Sequence, residues 1–332
     1  MGNCLGKSDK LTAEIVPHDG TYPTVRLYGS PTNIVTAYIR FALLHKAVSP
    51  DFVPSSQTTR FGGSEPENPV VLQVGSETVS GSRETLLQYI DNRFPNPPLT
   101  TTAGSREVEE ETTPLIVKMT RLQHKSMTWH LERMVRWADD LAARGGRKAV
   151  DPALGSPRME VKKFAKSYSQ LLEVMLEHAQ MEERVIFPIL DMADRGLCKA
   201  ANEEHARDLP VMNGIKEAIK SIGVLDSGSP ACQEAIFNLV ARLKSLQEQC
   251  KQHFMEEEMN ILPFMEAVDL SNEQHKRTLE HCFDVMQETH SRLFSFLLEG
   301  LVPHDAMQYL DLISRCREKE QLVSIVHAYL SC

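Results

Sequence analysis

Two stretches of this chain are built to one plan. HAQMEERVIFP starts at residue 178 and HFMEEEMNILP at residue 253, and each has His first, Glu fifth and sixth, Ile ninth and Pro eleventh. Both sit at the end of an apolar seam. Phe164, Tyr168, Leu171, Met175, His178, Glu182, Val185 and Ile189 follow by alternating steps of four and three. Leu239, Leu243, Leu246, Cys250, His253 and Glu257 keep the same alternation. Such spacing predicts one inward-facing stripe on a helix. Each His–Glu pair then points into a helical core, one turn apart on one face. A buried carboxylate is costly unless it is paired or holds a metal. Two such pairs in one chain make a shared site the economical explanation.

Everything after Pro114 has a helical pattern, broken near RGGRK, DRGLC, LDSGSP and EGLVPHD. A helical bundle builds metal sites from inward side chains on facing helices, so two further helices should supply ligands. In RLQHKSMTWHLERMVRWADDLAARGG, His124, Met127, Leu131, Met134, Ala138 and Leu141 form a seam and His130 lies off it. His124 also lies at the depth of His178, and His130 is about 9 Å along the helix from that layer. In the third helix, near KAANEEHARDLPVM, His205 is the candidate. The predicted metal set is His124, His178, Glu182, His205, His253 and Glu257. Four imidazoles and two carboxylates suit a first-row transition metal such as iron. Two metals fit better than one, each with two histidines, and with Glu182 and Glu257 bridging. No H-E-x-x-H and no C-x-x-C occurs, so a zinc protease and the commoner structural zinc sites are not indicated.

The order His, His-x-x-x-Glu, His, His-x-x-x-Glu, with FP or LP after each pair, resembles the hemerythrin-like HHE cation-binding domain over roughly residues 113–265. The resemblance implies an up-down four-helix bundle around a bridged di-iron centre, two irons per chain, with dioxygen as a further partner. Oxygen-carrying hemerythrins have another His one turn after the third-helix ligand, and Leu209 stands there. The segments ILPFMEAVDLSNEQHKRTLEHCFDVM and LLEGLVPHDAMQYLDLI also resemble the hemerythrin modules of plant iron-regulating ubiquitin ligases. No RING finger or F-box pattern accompanies them, so ligase activity is not implied.

Ahead of the bundle, residues 23–95 read as strand, helix, strand, strand, helix, a small α/β unit. LYGSPTN and NPVVLQVGSETVSGSRETLLQYI resemble the N-terminal thioredoxin-like half of glutathione transferases. That resemblance implies a cis-proline at Pro69, a glutathione-like site at Ser30, Pro69, Val70 and Ser82, and Ser30 at the catalytic position. Gly81 replaces an acidic residue usual there. With no cysteine between Cys4 and Cys198, thiol chemistry is not expected of this module, and a structural or docking role is favoured over a transferase.

The start, MGNCLGKSDK, resembles an acylation signal, myristoyl on Gly2 and palmitoyl on Cys4. The predicted organisation is a leader at 1–20, the thioredoxin-like module at 21–97 and a Pro/Thr/Glu-rich linker at 98–113. The hemerythrin-like part follows at 114–332, its metal bundle ending at 268 and extra helices filling 269–332. A net charge of −9 argues against a nucleic-acid partner. No apolar run approaches the roughly 20 residues of a membrane span. Seven cysteines without a secretory signal read as reduced thiols in a cytoplasmic protein, held at the plasma membrane if acylated. The expected function is di-iron binding for iron or oxygen sensing, with an unidentified protein partner and no turnover of its own. Two alternatives follow from the same residues. One is a di-iron peroxidase, oxidase or nitric-oxide-reactive enzyme supplied with glutathione. The other is a metal-free helical adaptor at a membrane.

Overall fold

The computed structural model describes residues 24–54, 69–99, 113–148, 152–268, 270–316 and 323–326. Gly2 and Cys4 lie outside them. The chain divides into two compact units.

The first unit carries strands β1 (Val25–Gly29), β2 (Asp51–Pro54), β3 (Val71–Val74) and β4 (Glu77–Ser80). Helix α1 (Ile34–His45) follows β1 and α2 (Arg83–Arg93) follows β4. The strand order is β2-β1-β3-β4, with β2 parallel to β1 and the other two pairings antiparallel. Val25 and Leu27 alternate inward, as a half-buried strand requires. Asn33 starts α1 by accepting the Val35 and Thr36 N–H groups. Tyr38, Phe41, Ala42 and Leu43 of α1 fill the core. Strand β2 is an addition to the sequence pattern. DFVP has only four residues, begins with Asp and ends with Pro, and shows no period of its own. It sits at an edge, where Pro is tolerated.

A buried ion pair fastens this unit. The Lys46 ammonium, whose side chain is 0% exposed, meets the Asp91 carboxylate and the Pro97 carbonyl. Asp91 also accepts the Leu99 N–H. The C-terminal segment from Val302 belongs to the same unit. Its Asp311 accepts the Tyr38 hydroxyl at 2.9 Å and the Arg83 guanidinium at 2.6 Å.

The second unit is helical. Its long helices are α3 (Leu115–Ala143), α4 (Pro157–Met181), then, after the short α5 (Phe187–Ala193), α6 (Lys199–Val224) and α7 (Pro230–Glu256). Helices α4 and α7 start alike, on a serine cap with Pro in the first turn. The four close as a ring in which α3 touches α4 and α7, and α6 touches the same two. Short helices α8 (Asn272–Val285), α9 (Gln287–Ser291) and α10 (Phe294–Glu299) cover one side. Gly300 ends α10 against Ser126, where a Cβ would lie 2.7 Å from the Ser126 carbonyl oxygen. A further helix, α11 (Pro303–Cys316), lies in the first unit. Among the described residues no helix is long and apolar enough to cross a membrane.

Both repeated segments break α geometry at one point. Residues Glu182–Ile186 and Glu257–Ile261 form π turns. The Phe187 N–H reaches back to the Glu182 carbonyl, and Leu262 does the same to Glu257. Pro188 and Pro263 follow at once and have no N–H to extend an α ladder. The extra residue shifts the phase of what comes after. The seam predicted Ile189 inside; instead Ile186 and Leu190 are fully buried and Ile189 is intermediate.

Candidate metal centre

The four long helices carry their polar core residues to one layer. Seams ending in His178–Glu182 and His253–Glu257 stay buried throughout, and His124 is 2% exposed in the α3 seam. Among the described residues, two groups of side chains have donor atoms within 4.8 Å of one another. One is His124, His178, Glu182 and Glu257; the other is Glu182, His205, His253 and Glu257. The structure thus brings together all six side chains of the predicted set, and the two carboxylates belong to both groups.

The inward-facing atoms are spaced as a ligand set would be. His124 Nε2 and His178 Nε2 face each other at 3.1 Å, and His205 Nε2 and His253 Nε2 at 3.0 Å. Two nitrogens bound about 2.1 Å from one metal lie about 3 Å apart when the angle between them is near 90°. Each carboxylate divides its oxygens between the pairs. Glu182 Oε1 lies 3.2 Å from His178 Nε2, and its Oε2 lies 3.6 Å from His205 Nε2. Glu257 Oε2 lies 3.4 Å from His124 Nε2, and its Oε1 lies 3.4 Å from His253 Nε2. Glu182 Oε2 and both Glu257 oxygens are buried without a hydrogen-bond donor. Buried carboxylate oxygens facing imidazole lone pairs fit a pair of cations.

The far side of every imidazole is occupied. His178 Nδ1–H donates to Gln123 at 2.8 Å, and His124 Nδ1–H to Glu258 at 2.9 Å. His205 Nδ1–H donates to Glu183 at 3.0 Å, and His253 Nδ1–H to Glu204 at 2.7 Å. These bonds set the tautomer that turns Nε2 inward and raise its basicity. Each acceptor is the chain neighbour of a cluster residue on the adjacent helix. The pairs run from α4 to α3, from α3 to the end of α7, from α7 to α6, and from α6 to the end of α4, a closed circuit. Seam periodicity does not single out these four acceptors. The signal was present: the doublets Gln123-His124, Glu182-Glu183, Glu204-His205 and Glu257-Glu258.

Rings steady the site as well. Phe254 stacks on His124, with centroids 4.3 Å apart, and Phe187 stacks on His205 at 5.9 Å. The electrostatics are those of a cluster short of positive charge. Burial alone would lower the His124 pKa, but Glu182, Glu257 and Glu258 hold it well above the ordinary range. Burial lowers that of His178 despite Glu182. Burial would raise Glu182, yet His178 and His124 keep it well below the usual carboxylate range. Without a metal, the facing carboxylates favour a proton on His124.

Among the described residues, the other histidines lie outside both groups. His130 donates from Nε2 to the Phe296 carbonyl at 2.7 Å and stacks on the Phe296 ring, so it packs α3 against α10. His304 donates to the Leu99 carbonyl in the α/β unit. Cys198, Cys232, Cys250, Cys282 and Cys316 are free thiols.

In the α/β unit, Tyr28, Val71 and Ser80 lie side by side across β1, β3 and β4. Ser30, Pro69, Val70 and Ser82 therefore share one end of the sheet. Ser82 Oγ caps α2 by accepting the Thr85 N–H at 3.2 Å, and Ser30 Oγ lies 2.9 Å from the Thr32 hydroxyl. Val70 is buried and Pro69 is exposed. The Asn68–Pro69 bond reaches outside the described residues.

No curated protein and no solved structure matches the chain. One family model does: residues 115–265 match the hemerythrin HHE cation binding domain.

Proposed function

We propose, with the HHE cation-binding domain as premise, that this protein holds two iron ions per chain and acts as an iron or oxygen sensor. His124 and His178 would bind one ion, His205 and His253 the other, with Glu182 and Glu257 shared. One observation carries the reading: each carboxylate presents one oxygen to each histidine pair. Iron, when bound, supplies redox chemistry and a position where dioxygen can exchange.

The chain's own part is linkage. A bound cation satisfies Glu182 Oε2 and both Glu257 oxygens, which otherwise lie buried without donors. Binding to the folded state alone stabilises that state, and a partner can read the difference in order. The test is metal content after anaerobic ferrous loading, beside His178→Ala/Glu257→Ala. About two irons per chain in the wild type and little in the variant support the reading. A wild type that takes up no iron sinks it.

A second reading keeps the metal centre and adds turnover with glutathione. The placement of Ser30, Pro69, Val70 and Ser82 at one sheet end, and the order β2-β1-β3-β4, support a thioredoxin-like module. It requires glutathione affinity that falls in Ser30→Ala and Ser82→Ala; unchanged affinity removes it. The adaptor reading, anchored through Gly2 and Cys4, predicts equal melting temperatures with and without iron.

A further inference from the structure

The cluster is not closed evenly. His124 and His178 are each 2% exposed, whereas the His205 side chain is 10% exposed. On that side a cleft of about 320 Å³ opens among α4, α6 and α7. Its floor is apolar, made by Met127, Met175, Met212, Cys250 and Phe254, all buried. His178, His205 and His253 border its inner end. Leu209, 41% exposed, forms the lip.

The cleft is far larger than a diatomic gas requires. An apolar cavity of about 150 Å³ already accepts benzene. Pockets of this size and lining are those that take small organic molecules, and methionine walls adapt to shape. Polar groups restrict the occupant further. Asp208 and Glu183 stand in the wall and disfavour an anion. Ala206 also lines the cleft, and its carbonyl lacks the usual N–H donor four residues on because residue 210 is Pro. That acceptor suits a hydroxyl group.

We propose that this cleft binds a neutral, largely apolar organic molecule with one hydroxyl, a phenol or an alkanol, lying over the methionines and reaching the His205–His253 edge. The proposal rests on the metal-centre reading only for what the molecule meets at its inner end; binding itself needs no metal.

The test is calorimetric titration of the full chain, metal-free and ferrous-loaded, with 4-propylphenol and with 4-propylbenzoate at neutral pH. The wild type should bind the phenol saturably and the benzoate far more weakly. Leu209→Trp, at an exposed position, should fill the lip and weaken phenol binding by about tenfold or more, with metal content unchanged. Asp208→Asn should narrow the gap between phenol and benzoate. No saturable phenol binding, equal affinity in Leu209→Trp, or benzoate binding as tight as phenol would each overturn it. Failure of the metal reading shows separately, as a chain that binds the phenol but no iron.

Discussion

Gln123 accepts the Nδ1–H of His178 across the α3–α4 interface at 2.8 Å, while its chain neighbour His124 faces the same His178 from the metal side. One dipeptide therefore grips the imidazole from both ends. Gln123→Leu should leave the fold intact and weaken metal binding by about 10–100-fold. Competition with a chromophoric chelator measures this. An affinity equal to wild type would show that His178 needs no outer partner.

Glu257 illustrates the cost of a site kept ready. Both of its carboxylate oxygens are buried without a donor. Replacing it by Leu should abolish the metal-dependent rise in melting temperature, a rise worth about 4 kcal/mol at a thousandfold excess of free metal over Kd. The metal-free variant should be no more stable than the metal-free wild type, since Glu257 is one of the carboxylates that face His124 and raise its pKa. Thermal melts of both proteins, with and without metal, check the two halves together.

His130 predicts a separate response to acid. Burial, then the nearby Arg133 charge, push its pKa down from 6.5 to about 3. The unfolded chain thus binds a proton that the folded one refuses between those values. Stability from this group is whole above pH 6.5 and is lost as pH falls toward 3, at about 1.4 kcal/mol per unit. His130→Asn should lower stability at neutral pH and flatten this slope by one proton. Denaturant midpoints across the window measure it, and parallel slopes would exclude His130 as the cause.

Asp91 is the counter-charge to a fully buried Lys46. Asp91→Ala would strand that ammonium and should cost about 3–5 kcal/mol. Hydrogen exchange should show the loss in β1, α1 and α2. The bundle helices serve as the internal reference, and uniform protection throughout would contradict the assignment.

Much of the bundle was legible because its signal is local and periodic. Alternating steps of four and three carry Leu239 through Glu257 inward, and the structure buries each of them. What escaped had no periodic signature. Strand β2 is four residues at a sheet edge, and Asp51 pairs with Arg26 only after α1 has folded back. Gln123 looks like any helix-face amide until α4 arrives beside it. The step that puts Ile186 rather than Ile189 inside depends on backbone bonding, which a hydrophobic pattern does not record.

The π turns have a consequence for what each repeated segment can tolerate. One residue fewer between Glu182 and Phe187 would restore the α ladder and swing the following side chains by about 100°. Phe187 would leave its stack on His205, and Leu190 its place in the core. The same holds between Glu257 and Leu262. Side chains at Arg184 or Met259 point outward and can be exchanged with little effect. The interval between each glutamate and its proline acts as a fixed measure, more sensitive to length than to composition.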